Sequence, residues 1–181
     1  MGIPVKPLAH HASRLAHAAV WTLAAAAAPS LAVERVALEA AIVCNILLFV
    51  EWPAEASWPA DAALNVCVDP ASPLRTALQA LDGRPIRRAK LTVQALGGGS
   101  QHCHAIFVDT PASQKAAACR TGCADGVLLI EGSAYEGLEA PTVRLVESDG
   151  RLAFDIQQGR ARQAGLTISS RLLRLARQVA E

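Results

Sequence analysis

The chain has 181 residues, with 17 basic and 16 acidic side chains and a formal net charge of +1. This length is enough for one domain with its own core. So balanced a charge argues against a nucleic-acid-binding protein and against a protein held on a membrane by a basic patch.

The first 32 residues are interpreted as a secretory signal peptide. They carry Lys6 and Arg14 but no Asp or Glu, and a long apolar stretch follows. Ser30 and Ala32 supply the small side chains of a cleavage site, so we expect the mature protein to be one domain, residues 33–181. An uncleaved N-terminal anchor is the alternative. No cysteine follows the cleavage site, which argues against a lipoprotein, and we expect no membrane insertion once the signal peptide is removed.

A helix is predicted at the start of the mature chain, from Val33 to a stop at Pro53. Apolar residues recur there at helical spacing, at Val36, Ala40, Val43 and Leu47. The second half of this segment is apolar on almost every side, which is typical of a helix buried on several sides. The apolar run is too short to span a membrane. Asn45, Phe49 and Trp52 would share one helical face.

The rest of the chain alternates between strands and helices. Strands are predicted over residues 64–68, 90–96, 104–108, 126–130, 142–146 and 151–156. Helices are predicted over residues 75–81 and 112–118, and two more close the chain, the last capped by Ser169 or Ser170. Asp149-Gly150 is a strong signal for a two-residue hairpin turn between the last two strands. This order predicts an α/β fold, a three-layer sandwich with a mixed sheet of about six strands flanked by helices.

Few residues have the spacing of a catalytic or metal site. His102 and His104 fall on one face of a strand, but no carboxylate or free thiol is spaced to complete a metal site. Asp69 and Asp109 each follow a strand at the expected carboxyl edge of the sheet, where small ligands bind in open α/β folds. An Asp that begins a surface turn is also common. The glycines at 97–99 lack the Lys-Ser/Thr of a phosphate loop. We predict no catalytic residue and no cofactor.

All five cysteines lie in the predicted mature chain. In an exported protein this favours disulfides. Cys119 and Cys123 flank a short turn and would close a small loop, which is either a structural clip or a redox-sensitive switch. A thiol oxidoreductase built on this pair is disfavoured, because the spacing is one residue longer than C-x-x-C.

Three motifs in order carry a resemblance to a known family. They are Asn45-x-x-x-Phe49-x-x-Trp52-Pro53, then Cys103-His104, then Ala164-Gly165-Leu166 followed by Ile168-Ser169-Ser170-Arg171-Leu172-Leu173-Arg174-Leu175-Ala176. Together they resemble the YfiR-like family of small periplasmic proteins. The resemblance implies a regulator that holds an inner-membrane diguanylate cyclase inactive through its periplasmic sensor domain. Release of the cyclase raises cyclic di-GMP and promotes biofilm formation.

The resemblance also implies roles for individual residues. The family pairs cysteines at the positions of Cys67 and Cys103, which are therefore the first expected disulfide. The family has a Cys-His pair at the position of Cys103-His104, so the resemblance implies a structural role for the His104 imidazole. Cys44 is left over as a buried, inert thiol. Leu48 stands where the family often has a cation, which makes this part of the chain more apolar.

A regulator without catalytic residues acts through exposed apolar surface. The expected partner-binding residues are Leu48, Phe49, Trp52 and Trp58. A polar rim on one face of the last helix would be formed by Arg171, Arg174 and Gln178. A homodimer is left open beside the cyclase partner. The alternative function is a small-ligand sensor that uses Asp69 and Asp109.

Overall fold

The computed structural model describes residues 1–2, 31–53, 55, 58–59, 61–97, 102–121 and 126–181. Most of the predicted signal peptide, residues 3–30, lies outside the described residues. The helices are α1 (Leu31–Leu47), α2 (Leu74–Gln79), α3 (Pro111–Thr121), α4 (Gln158–Gln163) and α5 (Ser170–Leu175). The strands are β1 (Val50–Glu51), β2 (Ala63–Val68), β3 (Pro85–Ile86), β4 (Ala89–Ala95), β5 (Ala105–Val108), β6 (Leu128–Glu131), β7 (Val143–Ser148), β8 (Arg151–Gln157), β9 (Thr167–Ile168) and β10 (Gln178–Ala180).

A mixed sheet forms the centre of the domain, in the order β10-β8-β7-β6-β5-β2-β4-β3. The strands β4, β2, β5, β6 and β7 run parallel. Strand β3 pairs antiparallel with β4, β8 pairs antiparallel with β7, and β10 pairs parallel with β8. The chain runs from β2 to β4 on one side and returns to β5 on the other side of β2. The direction of winding therefore reverses between β2 and β5, where open α/β folds have their crevice.

Alternate residues of the central strands point to opposite sides of the sheet, and both sides are buried. On one face Val66 and Phe107 pack with side chains of α1, α2, α4 and α5. On the other face Ile106 and Val108 pack with Ala117 of α3. The helices therefore cover the two faces of the sheet, and the predicted α/β sandwich with a mixed sheet is confirmed.

The first helix ends earlier than its sequence predicts. Helix α1 stops at Leu47, a turn follows in which the Phe49 N–H donates to the Ile46 carbonyl, and β1 begins at Val50. Strand pairing takes over here because Val50 aligns with Ile168 of β9 in a separate two-stranded sheet. Asn45, Phe49 and Trp52 therefore do not share one helical face.

The last hairpin forms at the turn that the sequence predicts. Strands β7 and β8 pair antiparallel across Asp149 and Gly150, which have φ angles of +52° and +70°. Two consecutive positive φ angles are characteristic of the tight turn that Asp-Gly favours. Ser169 also confirms its predicted role, since its hydroxyl accepts a hydrogen bond from the Leu172 N–H and caps α5.

In the part of the chain that the structure describes, no helix is both long enough and apolar enough to cross a membrane.

Candidate functional site

The three motifs that stand apart in the sequence meet in the structure. Strand β1, inside the first motif, pairs antiparallel with β9, inside the last, so that Val50 lies opposite Ile168. Just before β1, the Phe49 carbonyl accepts a hydrogen bond of 2.9 Å from the Ser169 N–H. The first and last motifs therefore form one small structural unit against the core.

Trp52 joins this unit to the middle motif, and Pro53 adds a contact between the first motif and the last. The Trp52 Nε1–H donates to the His104 carbonyl at 3.0 Å, and the Trp52 side chain is almost completely buried. Pro53 packs on Gly165, where an added Cβ would come within 3.1 Å of the proline ring. Gly165 also has a φ of +70°, a conformation that favours glycine. These contacts explain in structural terms why the Trp-Pro, Cys-His and Ala-Gly-Leu motifs occur together.

His104 is a fixed, neutral residue at the centre of this arrangement. Its Nδ1 accepts a hydrogen bond of 3.0 Å from the Asn65 N–H, so the proton of the neutral ring is on Nε2. Burial, together with the neighbouring His102, lowers the pKa of His104 to about 4. The structural role that the resemblance implies for His104 agrees with these contacts. Among the described residues, no three His, Cys, Asp or Glu side chains are grouped so as to hold a metal ion.

His104 should make the fold sensitive to acid. Its folded-state pKa of about 4 lies below the ordinary value of 6.5, so at intermediate pH the unfolded chain binds a proton that the folded chain does not. Stability due to the neutral ring is therefore lost as the pH falls from about 6.5 towards 4. Protonation also removes Nδ1 as an acceptor. We expect the urea midpoint to fall on acidification in the wild type and to fall much less in His104→Gln.

A His102→Gln variant is the matched control, because His102 is exposed and its imidazole lies next to that of His104. It should keep most of the wild-type pH dependence. Burial raises the pKa of Asp109, so acidification acts on that carboxyl in the opposite, stabilising direction. Asp109 is present in every variant, and the difference between variants therefore isolates His104. Parallel pH profiles for wild type and His104→Gln would contradict the prediction.

A known family matches nearly the whole of the described domain. The model of a family described as YfiR/HmsC-like matches residues 36–177. The chain belongs to the YfiR/HmsC-like family. A comparison with curated proteins gives no match.

The structure gives this YfiR/HmsC-like domain the Cys67–Cys103 disulfide that the resemblance implies, with the two Cα atoms 5.8 Å apart. Cys44 is a free, buried thiol whose pKa is raised by burial. Helix α3 continues through Cys119 to Thr121, so Arg120 and Thr121 are helical and do not form the short turn predicted between the two cysteines. The Cys119 side chain and Cys123 lie outside the described residues, and their disulfide stays a prediction.

The predicted partner surface of the YfiR/HmsC-like domain is only partly exposed. Trp52 is 5% exposed and belongs to the core, so its ring does not offer an interface contact. The chain turns into β1 after α1, and this turn directs the indole towards His104. Leu48, Phe49 and Trp58 are half-buried and pack against the core with part of each side chain.

The predicted polar rim is also rearranged. Arg171 and Arg174 are exposed on α5, whereas Gln178 lies in strand β10 and not on the helix. The Arg171 guanidinium carbon lies 5.9 Å from the centre of the Phe49 ring, a cation–π distance. The contact links α5 to the residues that precede β1.

Asp69 and Asp109 do come together, at the reversal point between β2 and β5. The Asp69 carboxylate accepts from the Thr110 hydroxyl at 2.7 Å and from the Ala71 N–H at 2.9 Å. The Asp109 carboxylate accepts from the Ser72 hydroxyl at 2.5 Å, while its Oδ1 is buried without a hydrogen-bond partner. These bonds hold the turns that follow the two strands. A ligand role for the pair stays a prediction.

Sequence reasoning did not predict that Trp58, His102 and His104 share one site. The sequence places Trp58 in a partner surface and the histidines on a strand, yet the Trp58 and His104 rings lie 4.9 Å apart. Periodicity along one segment does not show contacts between segments so far apart in sequence. The family motifs give a signal for Trp52 and His104, whereas Trp58 and His102 belong to none of the three motifs.

Proposed function

We propose that residues 33–181 form, after export, a periplasmic repressor of a membrane-anchored diguanylate cyclase. The domain would bind the periplasmic sensor domain of the cyclase and so lower cyclic di-GMP and biofilm formation. The observation that carries this proposal is the YfiR/HmsC-like match over residues 36–177.

The surface best suited to this partner lies around Phe49 and α5. The half-buried Phe49 ring is flanked by Arg171, and Leu175 lies one helical turn from Arg171 on the same side of α5. Leu175 is 64% exposed, so its side chain is accessible to a partner. Aromatic rings and arginines are enriched at protein interfaces, and the exposed leucine adds apolar area beside them. We call Phe49, Arg171 and Leu175 the α5 patch.

Substitution of the α5 patch should release the cyclase. Leu175→Asp places a charge in the proposed interface without disturbing the core, because the native side chain is exposed. We expect cyclic di-GMP in the native host to rise to the level of a strain that lacks the protein. The measurement is the nucleotide concentration in cells that carry the variant at the natural locus.

The matched control is Leu38→Asp, since Leu38 is a similarly exposed leucine on α1, at 51%. This variant should repress as well as the wild type. Circular dichroism and thermal melting of both purified variants establish that each is folded. Full repression by a folded Leu175→Asp protein would show that the α5 patch does not bind the cyclase. Loss of repression in both variants would show that the effect is not specific to this patch.

A further inference from the structure

A cavity of about 200 Å³ opens beside the Trp52–His104 contact, away from the α5 patch. Its lining is formed by Trp52, Pro53, Trp58, His102, His104 and Gly126. Four of these six residues carry aromatic rings. The described lining includes no carboxylate, lysine or arginine.

Three of the four close ring pairs stand at steep angles. The Trp52 and His104 planes make an angle of 85°, the Trp58 and His104 planes 65°, and the His102 and His104 planes 87°. The Trp52 and Trp58 planes make a smaller angle of 35°, with their centres 6.3 Å apart. A flat aromatic ligand would need two parallel faces about 7 Å apart to stack between, which none of these described pairs offers, whereas rings at such angles can surround a compact, rounded group.

The electrostatics of this lining favour a cation. Indole faces carry negative electrostatic potential and attract positive charge. Burial lowers the pKa of His104, so this imidazole adds no competing positive charge near neutral pH. Behind the Trp52 backbone, the buried Glu55 accepts from the Trp52 N–H, and Arg87 is paired with both Glu55 and Glu51. Arg87 and Arg88 lie beside Trp58, so the preference for a cation comes from the indole faces and not from a local excess of carboxylates.

Hydrogen bonding decides which cation fits. The His104 carbonyl is occupied by the Trp52 indole, and His104 Nδ1 is occupied by the Asn65 N–H. A primary ammonium has three donors, and the His102 ring offers at most one further side-chain acceptor in the described lining, so most of the hydrogen bonds to water would not be replaced. A quaternary ammonium has no hydrogen-bond donors to lose. We infer that the aromatic cavity of Trp52, Trp58, His102 and His104 binds a quaternary ammonium group.

The test uses choline as the probe and the purified protein from residue 33 onwards. Trp52 and Trp58 are the two tryptophans of that chain, so its intrinsic fluorescence reports on the cavity. Calorimetry should agree with the fluorescence titration. The neutral isostere 3,3-dimethylbutan-1-ol has the same shape without the charge. We expect choline to bind about tenfold more tightly than this alcohol, as cation–π attraction requires.

Variants separate attraction by the rings from simple filling of an apolar cavity. Trp58→Leu keeps apolar bulk but removes an indole face, and it should lose choline binding, whereas Trp58→Phe should retain it in weakened form. Phe154→Leu is the control, because Phe154 is another half-buried aromatic that does not line the cavity. Circular dichroism shows whether each variant is folded, and Trp58→Phe serves if Trp58→Leu is not.

Equal affinity for choline and the neutral alcohol would overturn the inference. Absence of choline binding at tens of millimolar would overturn it as well, as would wild-type binding by folded Trp58→Leu. These measurements use no cyclase, so their outcome is independent of the proposed repression.

Discussion

Removing the Cys67–Cys103 disulfide lowers the free energy of unfolding by about 4 kcal/mol. The bridge closes a loop of 36 residues, and the loop-entropy relation gives this value for a chain of that length. It links β2 to the residue before His104, beside the central strand pair, so its loss also loosens the segment that positions His104. We expect this loss in Cys67→Ala/Cys103→Ala, measured by urea unfolding against the oxidised wild type.

Cys44→Ala is the matched control, because Cys44 is equally buried but makes no disulfide. Truncation of a free thiol removes only packing and should cost about 1 kcal/mol. A reductant added to the wild type should remove at least the stability that the double variant lacks, and a further loss of the same size in both proteins would come from the predicted Cys119–Cys123 disulfide. Similar losses in Cys44→Ala and the double variant would contradict the assigned stabilisation.

Glu131→Gln should lower the free energy of unfolding by about 3 kcal/mol. The Glu131 side chain is fully buried at the end of β6. One of its oxygens accepts from the Gly137 and Leu138 N–H groups at 2.9 and 2.6 Å, and the other accepts from Arg144 Nε. All three partners are donors, so a glutamine NH₂ in either position would face a donor and leave it unsatisfied. Thermal and urea unfolding of the variant measure the loss.

Glu136→Gln provides the comparison within the same loop, since Glu136 is exposed. Its effect should lie within about 0.5 kcal/mol of zero, as for most surface substitutions. The loop from residue 132 to 140 should exchange its amide hydrogens faster in Glu131→Gln, because the carboxylate holds two of those amides directly. A Glu131→Gln protein as stable as Glu136→Gln would show that the carboxylate network does not stabilise the fold.

Much of the sheet could be predicted from local pattern. The six predicted strands correspond to β2, β4, β5, β6, β7 and β8, the inner strands of the eight-stranded sheet. The apolar runs of β2, β5 and β6 signal burial on both faces, and the Asp149-Gly150 turn signals β7 and β8. The two strands of this sheet that the sequence does not predict, β3 and β10, lie at its edges and have two and three residues. Edge strands this short carry no periodic signal, because burial constrains only part of each one.

The site was less predictable than the fold. Asp149-Gly150 and Ser169 act through bonds within a few residues, and such features can be read from sequence. The position of Trp52 depends on β9, which pairs with β1 from the far end of the chain. Local periodicity therefore predicts that α1 continues through Trp52, and it does not distinguish a buried indole from an exposed one.

Glu131 shows the same limitation for charged residues. A glutamate that follows an apolar strand predicts a surface position. Here it is buried because Arg144 of the neighbouring strand and two backbone amides satisfy its oxygens. The partners come from later parts of the chain, which a local pattern does not include.

The pairing of β1 with β9 has a consequence for the order in which the chain can fold. Val50 and Pro53 find their partners, Ile168 and Gly165, only when almost the whole chain is present. Contacts between such distant segments form slowly, because a long loop must close first. A nascent or partly translocated chain therefore has no means of completing its N-terminal segment. Under the export that we propose, this unit would complete its folding only once the C-terminal segment has arrived on the other side of the membrane.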